Sequence, residues 1–401
     1  MIDRKPKLSR FRWFRVASFL FFVLFGISSL ELLSYQFLRH QLKSRPHLFE
    51  YTIDEHMTRV TDQRVHGWLS GKRAYRGDDE LGWVRSADQS STSPAGWTLT
   101  TDDIGARVIP GQRGDAWLST YGDSFTECVE VNDDETWQAY MVGARGGRVL
   151  NFGVAGFGPD QALLYLERNI KRGIHTPVVV LAVIEEDLDR SLNAFRPFYT
   201  WPRIDLVLGF KPRFVPDAEG GFVLHQAMPE SWDEQSIRTA MQSAADIDYY
   251  YPLRVETIGF PYSVSAAKFI KRQGWLPRPW LPRETPLARS TLSFILERFT
   301  TLAREHGFIP VLVLLPSSGN QIEHAREGYQ DSVSPIVAAS APEGLVYINV
   351  LEALANNPAY LRGLTLDQYS LVDHASPEGN AAVARVLSDE LAPWRPELNR
   401  E

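Results

Sequence analysis

The sequence predicts an α/β protein: a doubly wound, parallel five-stranded sheet in an α/β/α sandwich, preceded by an apolar helix and interrupted by a large insertion. Three observations predict it. Short apolar runs alternate with amphipathic helical patterns, as in strands joined by crossover helices. The run at 177–184 is apolar throughout, as in a strand buried on both faces. The rhythm breaks once, over residues 190–288, which are rich in proline and aromatics. With 401 residues, 44% hydrophobic and 23% charged, the chain can build a packed core. A net charge of -7 argues against a nucleic-acid partner. The single cysteine, Cys128, excludes an intramolecular disulfide, and a buried thiol is expected there.

Residues 1–40 read as a basic tail and a membrane anchor. Arg4, Lys5, Lys7, Arg10, Arg12 and Arg15 precede an apolar run at 16–30, and the pattern resumes after Glu31 at 32–38. The span 16–38 is long enough to cross a bilayer, which takes roughly 20 residues. The basic flank predicts a cytoplasmic N-terminus and the remaining chain in the periplasm or outside the cell. A cleaved signal peptide is the rival reading, but no small-x-small cleavage site clearly follows the run.

Residues 41–110 are polar and turn-rich, with short strands expected at 79–84 and 96–101, and read as a membrane-proximal elaboration. The main domain is expected in two parts, 111–190 and 288–395, around an insertion or cap at 191–287. Strands are expected at 116–122, 147–154, 177–184, 309–315 and 345–350. Helices are expected at 134–141, 161–170, 291–305 and 377–391. Inside the insertion a hairpin is expected, with arms at 213–215 and 221–224. Such a segment either shapes a substrate site or merely covers the sheet.

The first strand stops at Gly122-Asp123-Ser124, where a helix is expected to begin. A serine there has its hydroxyl at the sheet edge, and the first helical N–H groups can face a developing negative charge. A serine nucleophile needs a base, and His374 is the best placed of the nine histidines. It follows the last strand and precedes the last helix. In a parallel sheet the loops after strands open on one edge, so Ser124 and His374 can meet there.

Four ordered blocks resemble the SGNH, or GDSL, hydrolase superfamily: Gly122-Asp123-Ser124-Phe125, Asn151-Phe152-Gly153-Val154-Ala155-Gly156, Glu186-Asp187, and Asp373-His374 followed by Ser-Pro-Glu-Gly-Asn. The resemblance covers about residues 112–190 and 288–392. It implies Ser124 as nucleophile, His374 as base, Asp373 as the orienting acid, and the Ser124 and Gly156 N–H groups as oxyanion donors. No metal or cofactor is implied.

Two positions depart from the family pattern. Glu186 stands where the family has an asparagine that donates to the oxyanion, and an ionised carboxylate only accepts. Losing one such donor typically costs roughly 3 kcal/mol of barrier. Either Glu186 points away and Asn193 or a backbone group substitutes, or the enzyme is slow or works on an unusual substrate; a third reading pairs Glu186 structurally with Arg190, four residues on. The family's acid usually precedes the histidine by two or three residues, here Val372 and Leu371, whereas Asp373 is adjacent to His374. Asp367 and a backbone carbonyl are the other candidates.

The anchor and the insertion also resemble membrane-tethered relatives that add or remove acetyl groups on extracellular polysaccharide. On that reading the partners are an ester or acylated glycan and the membrane, and Phe195, Phe198, Tyr199 and Trp201 either stack on sugar or belong to the core. Two further readings compete. One is a non-catalytic, tethered glycan-binding or scaffolding protein. The other is a lipid-directed esterase or thioesterase.

Overall fold

A computed structural model of the chain describes residues 8–44, 54, 56–57, 74–199, 209–253, 258–273 and 282–395. Arg4, Lys5, Lys7 and Trp201 lie outside the described residues.

The five main strands are β1 (Ala116–Gly122), β2 (Arg148–Gly153), β3 (Val178–Val183), β4 (Ile309–Leu314) and β5 (Val346–Asn349). They pair in the order β5-β4-β3-β1-β2, and every pair is parallel. This is the flavodoxin-like doubly wound order, which places ligand sites outside the carboxyl ends of the strands. The register aligns those ends: Gly122 lies opposite Gly153, and Leu314 opposite both Val183 and Asn349.

Every residue of β3 is buried, as its unbroken apolar run predicts, and its side chains alternate between two cores. Val179, Leu181 and Val183 join one, packed by helices Pro159–Lys171 and Pro286–His306 through Leu163, Leu166, Ile295 and Phe299. Val178, Val180 and Ala182 join the other, packed by Trp137–Arg145, Val350–Asn356 and Pro377–Glu390 through Trp137, Leu354, Val386 and Leu387. Each such side chain contributes about 1.5–3 kcal/mol on leaving water.

The elaboration before the sheet is more than a spacer. Strands Tyr75–Asp78 and Gly82–Arg85 form an antiparallel hairpin, as do Ser90–Thr92 and Thr98–Thr100. Residues 79–81, expected to be extended, form the turn instead. Leu81, Trp83 and Val84 enter the first core. Gly82 has φ +86°, and a Cβ there would meet the Phe210 carbonyl oxygen at 2.1 Å, so the insertion packs directly on this hairpin.

The insertion carries the expected hairpin, Pro212–Pro216 against Phe222–Gln226, and helices Glu234–Ile247 and Tyr262–Gln273. Phe195, Phe198, Phe210, Phe214 and Ile237 lie in the first core, so Phe195 and Phe198 are packing residues and not exposed platforms. Lys211 is fully buried. Its Nζ pairs with Asp160 at 2.5 Å and donates to the carbonyls of Arg190, Asn193 and Pro212. Burial pulls its pKa down, against the attraction of Asp160.

The helix Leu8–Ser44 contains one segment, Trp13–Lys43, long and apolar enough to cross a membrane. Its large apolar side chains are exposed from Trp13 to Leu33. From Ser34 onward it packs on Tyr262–Gln273 through Leu38, Ala266 and Phe269.

Candidate active site

Ser124 opens a four-residue helix, Ser124–Glu127, directly after β1. Asp123 caps it, with Oδ1 accepting from Phe125 N at 2.8 Å and Oδ2 from Arg190 Nη1 at 2.8 Å. Gly122 is required by crowding: a Cβ would stand 2.5 Å from the Ala182 carbonyl oxygen and 2.2 Å from Thr126 Oγ1. The Gly-Asp-Ser order thus lets the chain turn between β3 and its own helix, with Ser124 on the carboxyl rim.

His374 comes from a tight loop on the same rim. Leu371 N donates to the His374 carbonyl and Ser376 N to the Tyr369 carbonyl. Ser376 then caps the last helix by accepting from Gly379 N, with Pro377 in its first turn. A Cβ on Gly379 would meet the Tyr369 carbonyl oxygen at 2.2 Å, which accounts for the glycine of the Ser-Pro-Glu-Gly-Asn run. The imidazole lies 5.0 Å, centroid to centroid, from the ring of Phe125, the residue after Ser124.

The carboxylate beside the imidazole belongs to Glu130. Its Oε1 is 3.4 Å from His374 Nδ1, a charge-pair separation longer than a good hydrogen bond. Asp373, expected in that role, is exposed, and its backbone N–H donates to Glu130 Oε2 at 3.4 Å. In this tight bend the Asp373 side chain faces solvent while the imidazole turns inward, half-buried beside Phe125. Glu130 reaches it through two left-handed non-glycine residues, Cys128 (φ 60°) and Glu130 itself (φ 76°). Such conformations cost about 1–2 kcal/mol each and persist only where surroundings enforce them. Arg107 supplies the enforcement: its guanidinium donates to the carbonyls of Glu127, Cys128 and Val131 and pairs with Asp133 at 2.9 Å.

The loop after β2 brings Gly156 to the same rim, half-buried, at φ +81°. Its neighbour Ala155 is held on both sides. The Ala155 N–H donates to Glu127 Oε2 at 2.8 Å, and the Ala155 carbonyl accepts from Trp83 Nε1 at 2.9 Å. In a planar trans peptide the C=O and the following N–H point oppositely. Trp83 therefore turns the Gly156 N–H away from the indole. Glu127 is itself fully buried, paired with Arg85 and accepting from Tyr75. Neither the Ser124 nor the Gly156 N–H donates to a described residue.

At the end of β3, Glu186 pairs with Arg190 Nη2 at 3.3 Å and accepts from Tyr199 Oη at 3.1 Å. Arg190, then Arg196, hold its pKa down at about 2 against the cost of desolvation, so it is an acceptor at neutral pH. Arg190 also pairs with Asp187 at 2.7 Å and Asp123 at 2.8 Å, tying the tips of β3 and β1. Burial, then the nearby Asp123 charge, pushes Asp187 upward. Asn193 does not replace the missing donor. It is fully buried, and its amide nitrogen donates to the Phe195 carbonyl and to Asp248, both at 2.8 Å.

Together the fold and site define a doubly wound α/β protein with a serine, a histidine–carboxylate pair and two uncommitted backbone donors on one rim. No family model matches the chain, and no curated protein matches it. Among solved structures it is similar to one from Desulfitobacterium hafniense DCB-2, whose description assigns it provisionally to the lipolytic G-D-S-L family. The identity is 11%, over 69% of this chain and 99% of that one, with a TM-score of 0.32. The architecture rests on the strand order and not on this likeness.

Proposed function

We propose that the protein is an SGNH-type serine ester hydrolase or O-acyltransferase, tethered by its N-terminal helix with the globular part outside the cytoplasm. One observation carries the reading: Ser124 and the Glu130–His374 pair share the carboxyl rim of the sheet. Glu130 beside Nδ1 favours the tautomer protonated there, leaving the Nε2 lone pair as base. His374 takes the Ser124 proton as Oγ bonds to the ester carbonyl carbon. The Ser124 and Gly156 N–H groups hold the oxyanion. The alkoxy group leaves with that proton, giving acyl-Ser124. Water or a sugar hydroxyl then attacks the acyl carbon, its proton passes to His374, and as the bond to Oγ breaks His374 returns that proton to Ser124.

Acetylated cell-surface polysaccharide is the substrate class that fits an anchored enzyme with an insertion over its strand ends. Of the four aromatics expected to stack on sugar, Phe195 and Phe198 are in the core and Tyr199 is half-buried. The test is release of 4-nitrophenol from its acetate ester by the detergent-solubilised chain. Ser124→Ala is expected to reduce it to the uncatalysed rate, and equal rates for the two proteins would defeat the proposal. Chain-length preference among esters separates this reading from a lipid-directed one.

A second reading is favoured by Glu186, which puts an ionised acceptor where a donor is expected. On it the protein is a tethered glycan-binding or scaffolding member without turnover. A fluorophosphonate that leaves Ser124 unlabelled would select this reading.

A further inference from the structure

The boundary between the exposed and the packed parts of the N-terminal helix falls at Glu31–Tyr35, and a second segment begins there. The Glu31 carboxylate accepts from Tyr262 N at 2.5 Å and from Ser263 N and Oγ, so it caps the helix Tyr262–Gln273. Tyr35 and Tyr262 lie ring to ring at 4.9 Å, and Phe37 meets Phe269 at 5.7 Å. Successive contacts advance together along both helices, so they run in the same direction. Trp13 to Leu33 spans about 30 Å at 1.5 Å per residue, the thickness of the hydrocarbon core. Glu31 and the start of the second helix then stand at the outer boundary of the bilayer.

At that level the insertion presents two apolar side chains to the outside: Phe260, 76% exposed, and Val264, 51% exposed. Around them the residue types change as they do across a membrane interface. The two tyrosines come first, and the exposed cations Arg39, Lys43, Lys268 and Lys271 follow on the side away from the apolar stretch. Phe260 and Val264 bracket Tyr262 beside a lipid-facing helix, and the cations lie beyond, as at the boundary of a leaflet.

We propose that Phe260 and Val264 enter the outer-leaflet interface, giving the globular part a second lipid contact that fixes its orientation over the bilayer. The partner is the lipid surface itself, continuous with the surface around the anchor. The inference rests on the anchor reading, and the experiment separates the two.

Cys128 is buried, and its thiol is pushed up to about 12 by burial, so an added cysteine takes a thiol-reactive label selectively. Full-length Phe21→Cys, Phe260→Cys and Val264→Cys variants, each carrying an environment-sensitive fluorophore, are placed in phospholipid nanodiscs. The lipids bear a nitroxide either deep in the acyl chain or near the headgroup. The expected result is loss of most of the emission at position 21 with deep nitroxide, and at 260 and 264 with shallow nitroxide. Quenching at 21 alone overturns the second contact and keeps the anchor. Quenching at none of the three overturns both. A blue-shifted but unquenched label at 260 and 264 places a protein surface there, such as a second copy of the chain, and also overturns the proposal. Val264→Cys decides the matter should Phe260→Cys not fold.

Discussion

Glu130 Oε1 stands 3.4 Å from Nδ1 of His374, bringing a carboxylate six residues past Ser124 to an imidazole near the C-terminal end of the chain. The serine and the carboxylate therefore travel on one short, clamped segment, and only the histidine has to be delivered from elsewhere.

Replacing Glu130 with glutamine keeps its size and removes the charge that stabilises an imidazolium. Loss of the carboxylate from a serine–histidine–acid set lowers turnover by up to roughly 10⁴-fold. The longer separation here puts the expected fall in kcat for Glu130→Gln at about 10²–10³-fold. Asp373→Asn, at an exposed position, should change free energies by less than about 0.5 kcal/mol, roughly twofold in rate. Steady-state ester hydrolysis by the two variants checks both. An inactive Asp373→Asn beside an active Glu130→Gln would reverse the assignment.

Trp83→Phe retains the ring in the core but removes the donor to the Ala155 carbonyl. Loss of this part-buried hydrogen bond costs about 0.5–1.5 kcal/mol. Since the same peptide carries the Gly156 N–H, kcat should fall by up to about tenfold while KM stays nearly constant. A purely structural tryptophan would lower the melting temperature and leave the kcat of the remaining folded enzyme unchanged.

The pKa of Glu186 is lower in the folded protein, at about 2, than its ordinary 4.5. A depressed carboxylate contributes stability above its unfolded pKa and loses it as pH falls through its folded one. The stability advantage of the native chain over Glu186→Gln should be full above about pH 4.5 and disappear between there and about pH 2. Urea midpoints of the two proteins across that range test this. With 40% of its side chain exposed, Glu186 should give a modest difference.

Gly122→Ala forces a methyl group against the Ala182 carbonyl and Thr126. Overpacking of this kind costs about 1–3 kcal/mol, and backbone cannot yield as a side chain tip can, so the upper end is expected. Chemical denaturation would register it as a lower midpoint at unchanged slope.

The parallel, doubly wound sheet was open to inspection in the sequence because strands alternate with helical patterns and β3 is apolar at every position, as in a strand buried on both faces. Ser124, His374 and Gly156 were visible because each sits where a strand or loop reaches the rim. Glu130 was not. Its reach depends on two left-handed residues and on Arg107 gripping three carbonyls, and neither has a one-dimensional pattern. Asn193 suited the missing donor by type alone, while Asp248, 55 residues on, already holds its amide. The role of Trp83 was hidden for a similar reason: a short strand far upstream gives no sign that its indole will orient a peptide after β2.

The buried ammonium of Lys211 bears on any attempt to trim this chain to its five-stranded sheet. Excising 191–287 would remove the counter-ion of Asp160, a carboxylate with 0% exposure in the intact chain. A solitary charge so placed is strongly destabilising. The inserted segment is thus tied to the sheet by a charge that neither part can bury alone.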